Sequence, residues 1–133
     1  MIVFQHSDPG EHAKLATRSA ISIREKTSAL NAASGGQWPR VVINIGIHSG
    51  TALVGANKIE SAAETLWVYT ATGYSVNVAA RIGSAASNGT ILVSEETARR
   101  LGSEFELAAK GKQAFKGVSE RIDLYSVEGK RVN

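Results

Sequence analysis

Hydrophobic positions recur along this chain in two different periods. From Ala13, the residues Ala16, Ala20, Ile23, Thr27 and Leu30 follow in steps of three and four, which predicts one apolar stripe on a helix of about six turns. Asp8-Pro9-Gly10-Glu11 opens that helix: Asp8 suits the N-cap, Pro9 the first helical position and Glu11 the capping-box carboxylate. Ser34-Gly35-Gly36 stops it. Val41, Ile43, Ile45 and Ile47 then alternate in period two, and Ser49-Gly50 separates them from Ala52-Leu53-Val54, so residues 40–54 read as two strands. At the start, the short apolar run Ile2-Val3-Phe4 is predicted as a further strand.

Beyond that point the punctuation is set by glycine. Residues 55–64 are small and polar and fit either an extended hairpin or a loop, whereas Trp67-Val68-Tyr69-Thr70 is strongly strand-forming. Gly73 separates this strand from a helix over residues 75–86, which Asn88-Gly89 ends. Thr90-Ile91-Leu92-Val93 reads as a buried strand, and Ser94 as the N-cap of a short helix with residues 97–101 as its body. Residues 105–109, 113–115 and 122–127 are the remaining predicted strands. Mixed elements with hairpins between strands predict an α+β fold rather than a doubly wound one.

Composition narrows the class without naming a function. A chain of 133 residues with 43% hydrophobic and 20% charged residues is sized and composed as a single globular domain. With aromatics at 6%, aliphatic and alanine packing must carry the core. No cysteine is present, which removes disulfides, thiolate metal sites and a cysteine nucleophile, and fits a reducing compartment. No apolar stretch approaches the roughly 18 residues that a membrane span needs, and the first residues lack the pattern of a signal peptide. A cytoplasmic location is the resulting expectation.

Formal net charge is +3, and six basic residues fall between Lys110 and Arg131. A solvated surface explains them; nucleic acid or a phosphorylated small molecule would be the functional readings. No run of five like charges and no stacking-aromatic motif accompanies them, so nucleic acid is not expected as a partner.

The chemistry-bearing segment is Tyr69-Thr70-Ala71-Thr72-Gly73-Tyr74-Ser75-Val76-Asn77-Val78-Ala79-Ala80-Arg81. Asn77 and Arg81 are four apart and share one helix face, with Val78, Ala79 and Ile82 pointing elsewhere. An amide beside a guanidinium suits a polyanion, because arginine offers a permanently charged fork matched to phosphate oxygens. By spacing alone, such a pair is often no more than a solvated surface. His48 invites a catalytic or metal reading, but only His6 and His12 exist besides it and no ligand spacing joins them. A structural role is expected for it.

Taken together, Ile45-Gly46-Ile47-His48-Ser49-Gly50, then Tyr69-Thr70 with Val76-Asn77-Val78-Ala79-Ala80-Arg81, then Phe115-Lys116-Gly117-Val118 resemble class III adenylate and guanylate cyclases in order and spacing. The resemblance runs from Met1 to about Gly129. It implies a ferredoxin-like nucleotide cyclase fold in truncated form, with a mostly antiparallel sheet and helices packed on it, over residues 1–133 as one partial domain. It further implies that Asn77 orients the nucleotide ribose and that Arg81 stabilises phosphate charge in the transition state. Thr70 takes the purine-recognition position, where Asp or Thr is typical of adenylate cyclases, and Lys116 contacts the substrate phosphates. The implied activity is conversion of ATP to cyclic AMP and pyrophosphate, a phosphorus-oxygen lyase reaction of signal transduction.

The same resemblance implies what this stretch lacks. Family catalysis uses two Mg- or Mn-type ions held by two aspartates, and both would precede the segment that matches here, as would the lysine that helps to read the purine. Asp8 lies at a helix cap and cannot replace them. Asn44 stands where a basic residue commonly precedes Ile-Gly, Tyr74 where an acidic one often follows Gly73, and residues 56–66 are longer than in many relatives. The expectations are therefore no metal ligands in this chain, inactivity in isolation, and a homodimer or a complementary cyclase half as partner. A non-catalytic nucleotide-binding or dimerisation module is the alternative.

Overall fold

The computed structural model describes residues 1–132. Its elements are α1 (Pro9–Ala33), β1 (Ile45–Ile47), β2 (Leu53–Glu60), β3 (Thr65–Thr72), α2 (Tyr74–Ala85), β4 (Ile91–Ser94), α3 (Glu95–Leu101), β5 (Phe105–Gln113) and β6 (Ile122–Lys130). The α+β class is as the pattern predicted. A four-stranded sheet runs β1-β4-β6-β5, and β2 and β3 form a separate two-stranded sheet. Only the β1–β4 pairing is parallel; β4–β6 and β5–β6 are antiparallel.

Local signals place α1 well. The Asp8 side chain accepts from Gly10 N at 2.8 Å, and Pro9 opens the first turn. Glu11 does not complete a capping box; it lies 3.8 Å from Lys14 instead. The buried stripe is Ala13, Thr17, Ala20 and Ile21. Leu30, the last position of the predicted stripe, is exposed.

Two strand predictions fail for one reason. Residues 1–6 form no strand, and of the 40–47 run only Ile45–Ile47 joins a sheet. Period-two hydrophobicity supplies a face, whereas a strand also needs a neighbour for its backbone groups. At Val41 that neighbour is a side chain: Asn31 Nδ2 donates to Val41 O at 2.7 Å, and Val41 N donates to Asn31 Oδ1 at 2.9 Å. Residues 55–64, open between hairpin and loop in the sequence, form most of β2 and the turn into β3, where Ser61 Oγ accepts from Ala63 N and Glu64 N. Residues 105–109 extend as one strand through Gln113, while Phe115 lies in a turn closed by Val118 N donating to Phe115 O.

The core has two halves, one on each face of the sheet. On one face α1 and α3 bury Ala13, Ala20, Ile21 and Leu101 against Ile91, Val93, Phe105 and Val127. On the other, α2 buries Val78, Ile82 and Ala86 against Leu92 and Leu124. Arg24 of α1 ties the β6 irregularity down. The ladder skips Glu128, and the guanidinium donates to the carbonyls of Val127 and Glu128 at 3.0 Å each. Arg18 adds a two-pronged contact to Glu104 at 2.9 Å on both oxygens.

Candidate nucleotide site

Each flank of α2 has a different task. Val78 and Ile82, both fully buried, face the sheet. Ser75, Val76 and Ala79 border a cavity at the β1 edge. Asn77 and Arg81 occupy the third flank, one turn apart and half-buried. No side chain caps this helix at Gly73, so none claims the N–H groups of its first turn.

Among the described residues, Arg81 is the one that buries a side-chain nitrogen or oxygen without a hydrogen-bond partner. Its Nε is buried, and among the described residues no acceptor reaches it. A buried donor without a partner costs on the order of 1–3 kcal/mol, more for a charged group. No described ion pair or hydrogen bond involves the Arg81 guanidinium, in contrast to Arg18, Arg24, Arg99 and Arg100, which all have partners.

Tertiary packing brings the Lys116 turn to this face. Phe115 and Val118 pack against the Val78–Ile82 cluster. Gly117, at φ +78°, lies so close that an added Cβ would sit 3.5 Å from Asn77 Nδ2. Lys116 stands exposed between them. The Lys116 turn thus approaches Asn77, and Arg81 follows one helical turn further along α2. Thr70 does so less directly: it is half-buried on β3 opposite Gly55 and donates to Ala71 O at 3.4 Å. It borders a cavity of about 530 Å³ with Val54, Tyr69 and residues 1, 3 and 5. Asn77, Arg81 and Lys116 border neither this cavity nor the one at the β1 edge.

Two contributions were not visible in the sequence. Gly117 reaches Asn77 only through the fold; its place after Phe115-Lys116 was the sole hint. The other is a hydroxyl network under His48. His48 Nδ1 is 2.8 Å from Ser94 Oγ, the α3 N-cap, and Ser49 Oγ is 2.9 Å from Thr97 Oγ1. That makes His48 a framework residue in these contacts. Burial lowers its pKa, with Glu96 opposing and Arg100 reinforcing the shift; His12 is lowered too, by burial, then by Arg100 and His6, against Asp8.

A measurable pH response follows. Both histidines bind protons less readily folded than unfolded, so unfolding takes up protons below their ordinary pKa of about 6.5. Stability should be full above that value and fall as pH drops through it toward the depressed folded pKa. Urea unfolding at pH 7.5 and 5.5 should show the lower midpoint at 5.5, with a smaller difference in His48→Gln. Equal midpoints would contradict these contacts.

The residues present do not fit a divalent-cation site. Among the described residues, no group of three His, Asp or Glu side chains is placed to hold a metal. Several carboxylates are already engaged: Glu95 with Arg99, Glu96 with Arg100 and Glu104 with Arg18. Asp8 is occupied at its cap.

The profile of the adenylate and guanylate cyclase catalytic domain matches residues 1–129, and the chain belongs to that family. Among solved structures it is similar to the adenylyl cyclase CyaB from P. aeruginosa, at 26% identity and TM-score 0.81, over 96% of this chain and 64% of that one. It is also similar to the guanylate cyclase domain of RhGC from Catenaria anguillulae, solved with GTP, at 25% identity and TM-score 0.73, over 93% and 63% of the two chains. The guanylyl cyclase Cya2 shares the fold at 22% identity and TM-score 0.79. The chain spans less than two-thirds of the length of each of these structures. No curated protein matches it in sequence. No helix among the described residues is long and apolar enough to cross a membrane.

Proposed function

We propose that this chain supplies the ribose- and phosphate-handling part of an adenylate cyclase-type site that turns ATP into cyclic AMP and pyrophosphate. What supports the reading is the approach of the Lys116 turn to Asn77, together with the buried, unpartnered Arg81 Nε one helical turn further along α2. Asn77 would hold the ribose, so that its 3′-hydroxyl faces the α-phosphate. Arg81 would complete its hydrogen bonding on a phosphate oxygen, most strongly as charge builds there. Lys116 would neutralise the remaining phosphates, and Thr70 would read the purine edge. A threonine at this position suits adenine over guanine, as the resemblance to adenylate cyclases implies.

The carboxylates that hold the family's Mg or Mn ions are assigned to a complementary cyclase half, and the isolated chain is inactive in this reading. Calorimetry with a non-hydrolysable ATP analogue tests the binding half. We expect saturable binding that weakens by up to about tenfold in Asn77→Ala, the loss of one hydrogen bond to the ribose. Mixing with a metal-competent cyclase domain should then yield cyclic AMP. If no cyclic nucleotide forms in the mixture, the catalytic reading is wrong.

A second reading rests on the hairpin. Two strands alone are marginally stable in water, yet β2–β3 exposes Trp67 at 64%, Tyr69 at 77%, and the cross-strand pair Ile59 and Leu66. Lys58 stands over the Trp67 ring at 6.0 Å and covers only part of it. A non-catalytic dimerisation module would bury the Trp67 and Tyr69 face of this hairpin against a second copy. Silence in calorimetry with ATP and GTP, together with a dimer in sedimentation velocity, would favour it.

A further inference from the structure

Along α2 the polar site residues follow the order of a nucleotide's own parts. At 1.5 Å of rise per residue, Arg81 for the phosphates lies about 6 Å along the axis from Asn77 for the ribose. A further step of about 4.5 Å toward the N-terminus reaches Tyr74, the first residue of α2. Positions 74, 77 and 81 are spaced by three and four and share one flank of the helix. Helical side chains lean toward the N-terminus. The Tyr74 ring is thereby directed past the start of α2, toward the end of β3 that carries Thr70.

Nothing within the chain accounts for a large ring at this place. Tyr74 is 54% exposed. It belongs to neither core cluster nor to the side chains packed against them, and among the described residues its phenol has no hydrogen-bond partner. The N-cap is Gly73, so Tyr74 caps nothing, and it brings no negative charge to the first turn, where one would offset the helix dipole. Nearby aromatics are directed elsewhere. Phe115 packs against the Val78–Ile82 cluster, and Tyr69 points to the opposite face of β3 from Thr70, as successive strand residues do. The ribose, the phosphates and one purine edge each have a residue assigned above, whereas the flat face of the purine has none. A planar ring is the side chain that covers such a face best.

We propose that Tyr74 is a base platform, its ring stacking on the purine of the nucleotide whose ribose Asn77 holds. The assignment rests on the nucleotide reading above and adds a binding residue to it. Base recognition is then divided in two. Thr70 meets the purine edge, where adenine and guanine differ, and Tyr74 meets the face, which they share. The tyrosine contributes affinity without choosing between the bases, as stacking on an aromatic side chain does.

Calorimetry on the whole chain tests this, with non-hydrolysable ATP and GTP analogues and with ribose 5-triphosphate, which lacks a base. Tyr74→Ala should weaken both nucleotide analogues by about tenfold or more, the loss of one stacked base. Their affinity ratio, and the binding of ribose 5-triphosphate, should stay within about twofold, because the stack touches only the base face. Tyr74→Phe should bind within about twofold of the parent, since the ring and not the hydroxyl makes the contact. Thr70→Ala should instead shift the ATP-to-GTP ratio. Tyr74→Ala should melt with the parent, as changes at exposed positions do; a melting temperature several degrees lower would make the ring a structural contact and overturn the proposal. Unchanged affinity for both analogues in Tyr74→Ala, or an equal loss with ribose 5-triphosphate, also overturns it. A phenylalanine variant as weak as the alanine one would assign the contact to the phenol hydroxyl, and a dimer that Tyr74→Ala dissociates would assign the ring to a second copy; each sinks the stacking role. The two readings fail differently. A parent chain that binds none of the three ligands removes the nucleotide site and the platform together, whereas binding that falls in Asn77→Ala and not in Tyr74→Ala removes the platform alone.

Discussion

In a mixture with a metal-competent cyclase domain, Arg81→Ala should lower the rate of cyclic AMP formation by two to three orders of magnitude, on the order of 10²–10³-fold as for other positioned donors aimed at developing charge. The loss should fall on kcat, because the guanidinium gains most where charge accumulates. Arg81→Lys should recover only part of it: an ammonium restores charge but not the planar fork. Stability provides the control. Since Arg81 Nε is buried without an acceptor, removing it relieves a desolvation cost. Arg81→Ala should therefore melt no lower than the parent chain. An alanine variant that keeps its rate would place the arginine outside the chemistry, and one that loses several degrees of melting temperature would make its role structural.

The second large effect concerns packing. Gly46 of β1 lies directly under α2. A Cβ there would sit 2.6 Å from Gly83 Cα and 2.8 Å from Ala79 O, and closer still to Gly83 N. These are backbone atoms of a helix and cannot turn aside. Gly46→Ala should cost about 3 kcal/mol or more, at the upper end of overpacking penalties, and lower the melting temperature by roughly 10 °C in a domain of this size. The reciprocal change should behave differently. A Cβ on Gly83 would lie 3.5 Å from Gly46 N, an ordinary contact, and alanine is favoured over glycine inside a helix by up to about 1 kcal/mol. Gly83→Ala should be neutral or mildly stabilising. Equal melting of the two variants would contradict the close approach of β1 to α2, and with it the placement of Asn77 and Arg81.

These two positions differ in how far the sequence disclosed them. Arg81 could be picked out by its four-residue spacing from Asn77, since an i,i+4 pair shares a face whatever surrounds the helix. Gly46 stood in a recognisable Ile-Gly-Ile-His run, yet nothing local reveals that Gly83, far along the chain, presses against it. His48 was assigned to the framework by elimination; Ser94 and Thr97 supply the contacts behind that role. The hairpin was half legible. Trp67 to Thr70 declared a strand, but its partner is made of Gly, Ala, Asn and Lys, which carry little strand preference and pair through β3 alone.

What the amino-acid order determined unaided is whatever closes within a few residues. The Asp8-Pro9 start and Ser34 end of α1, the Ser94 cap of α3, the shared face of Asn77 and Arg81 and the family motifs all belong to that range. The tertiary structure alone decided the contacts between distant segments. It paired β1 with β4 and left residues 1–4 without a ladder; it carried the Lys116 turn to Asn77, and it left Arg81 Nε without an acceptor. The reason is physical: a cap or a helical repeat satisfies its own hydrogen bonds, whereas a strand edge, a glycine cleft and a buried guanidinium acquire meaning only from what the rest of the chain sets against them.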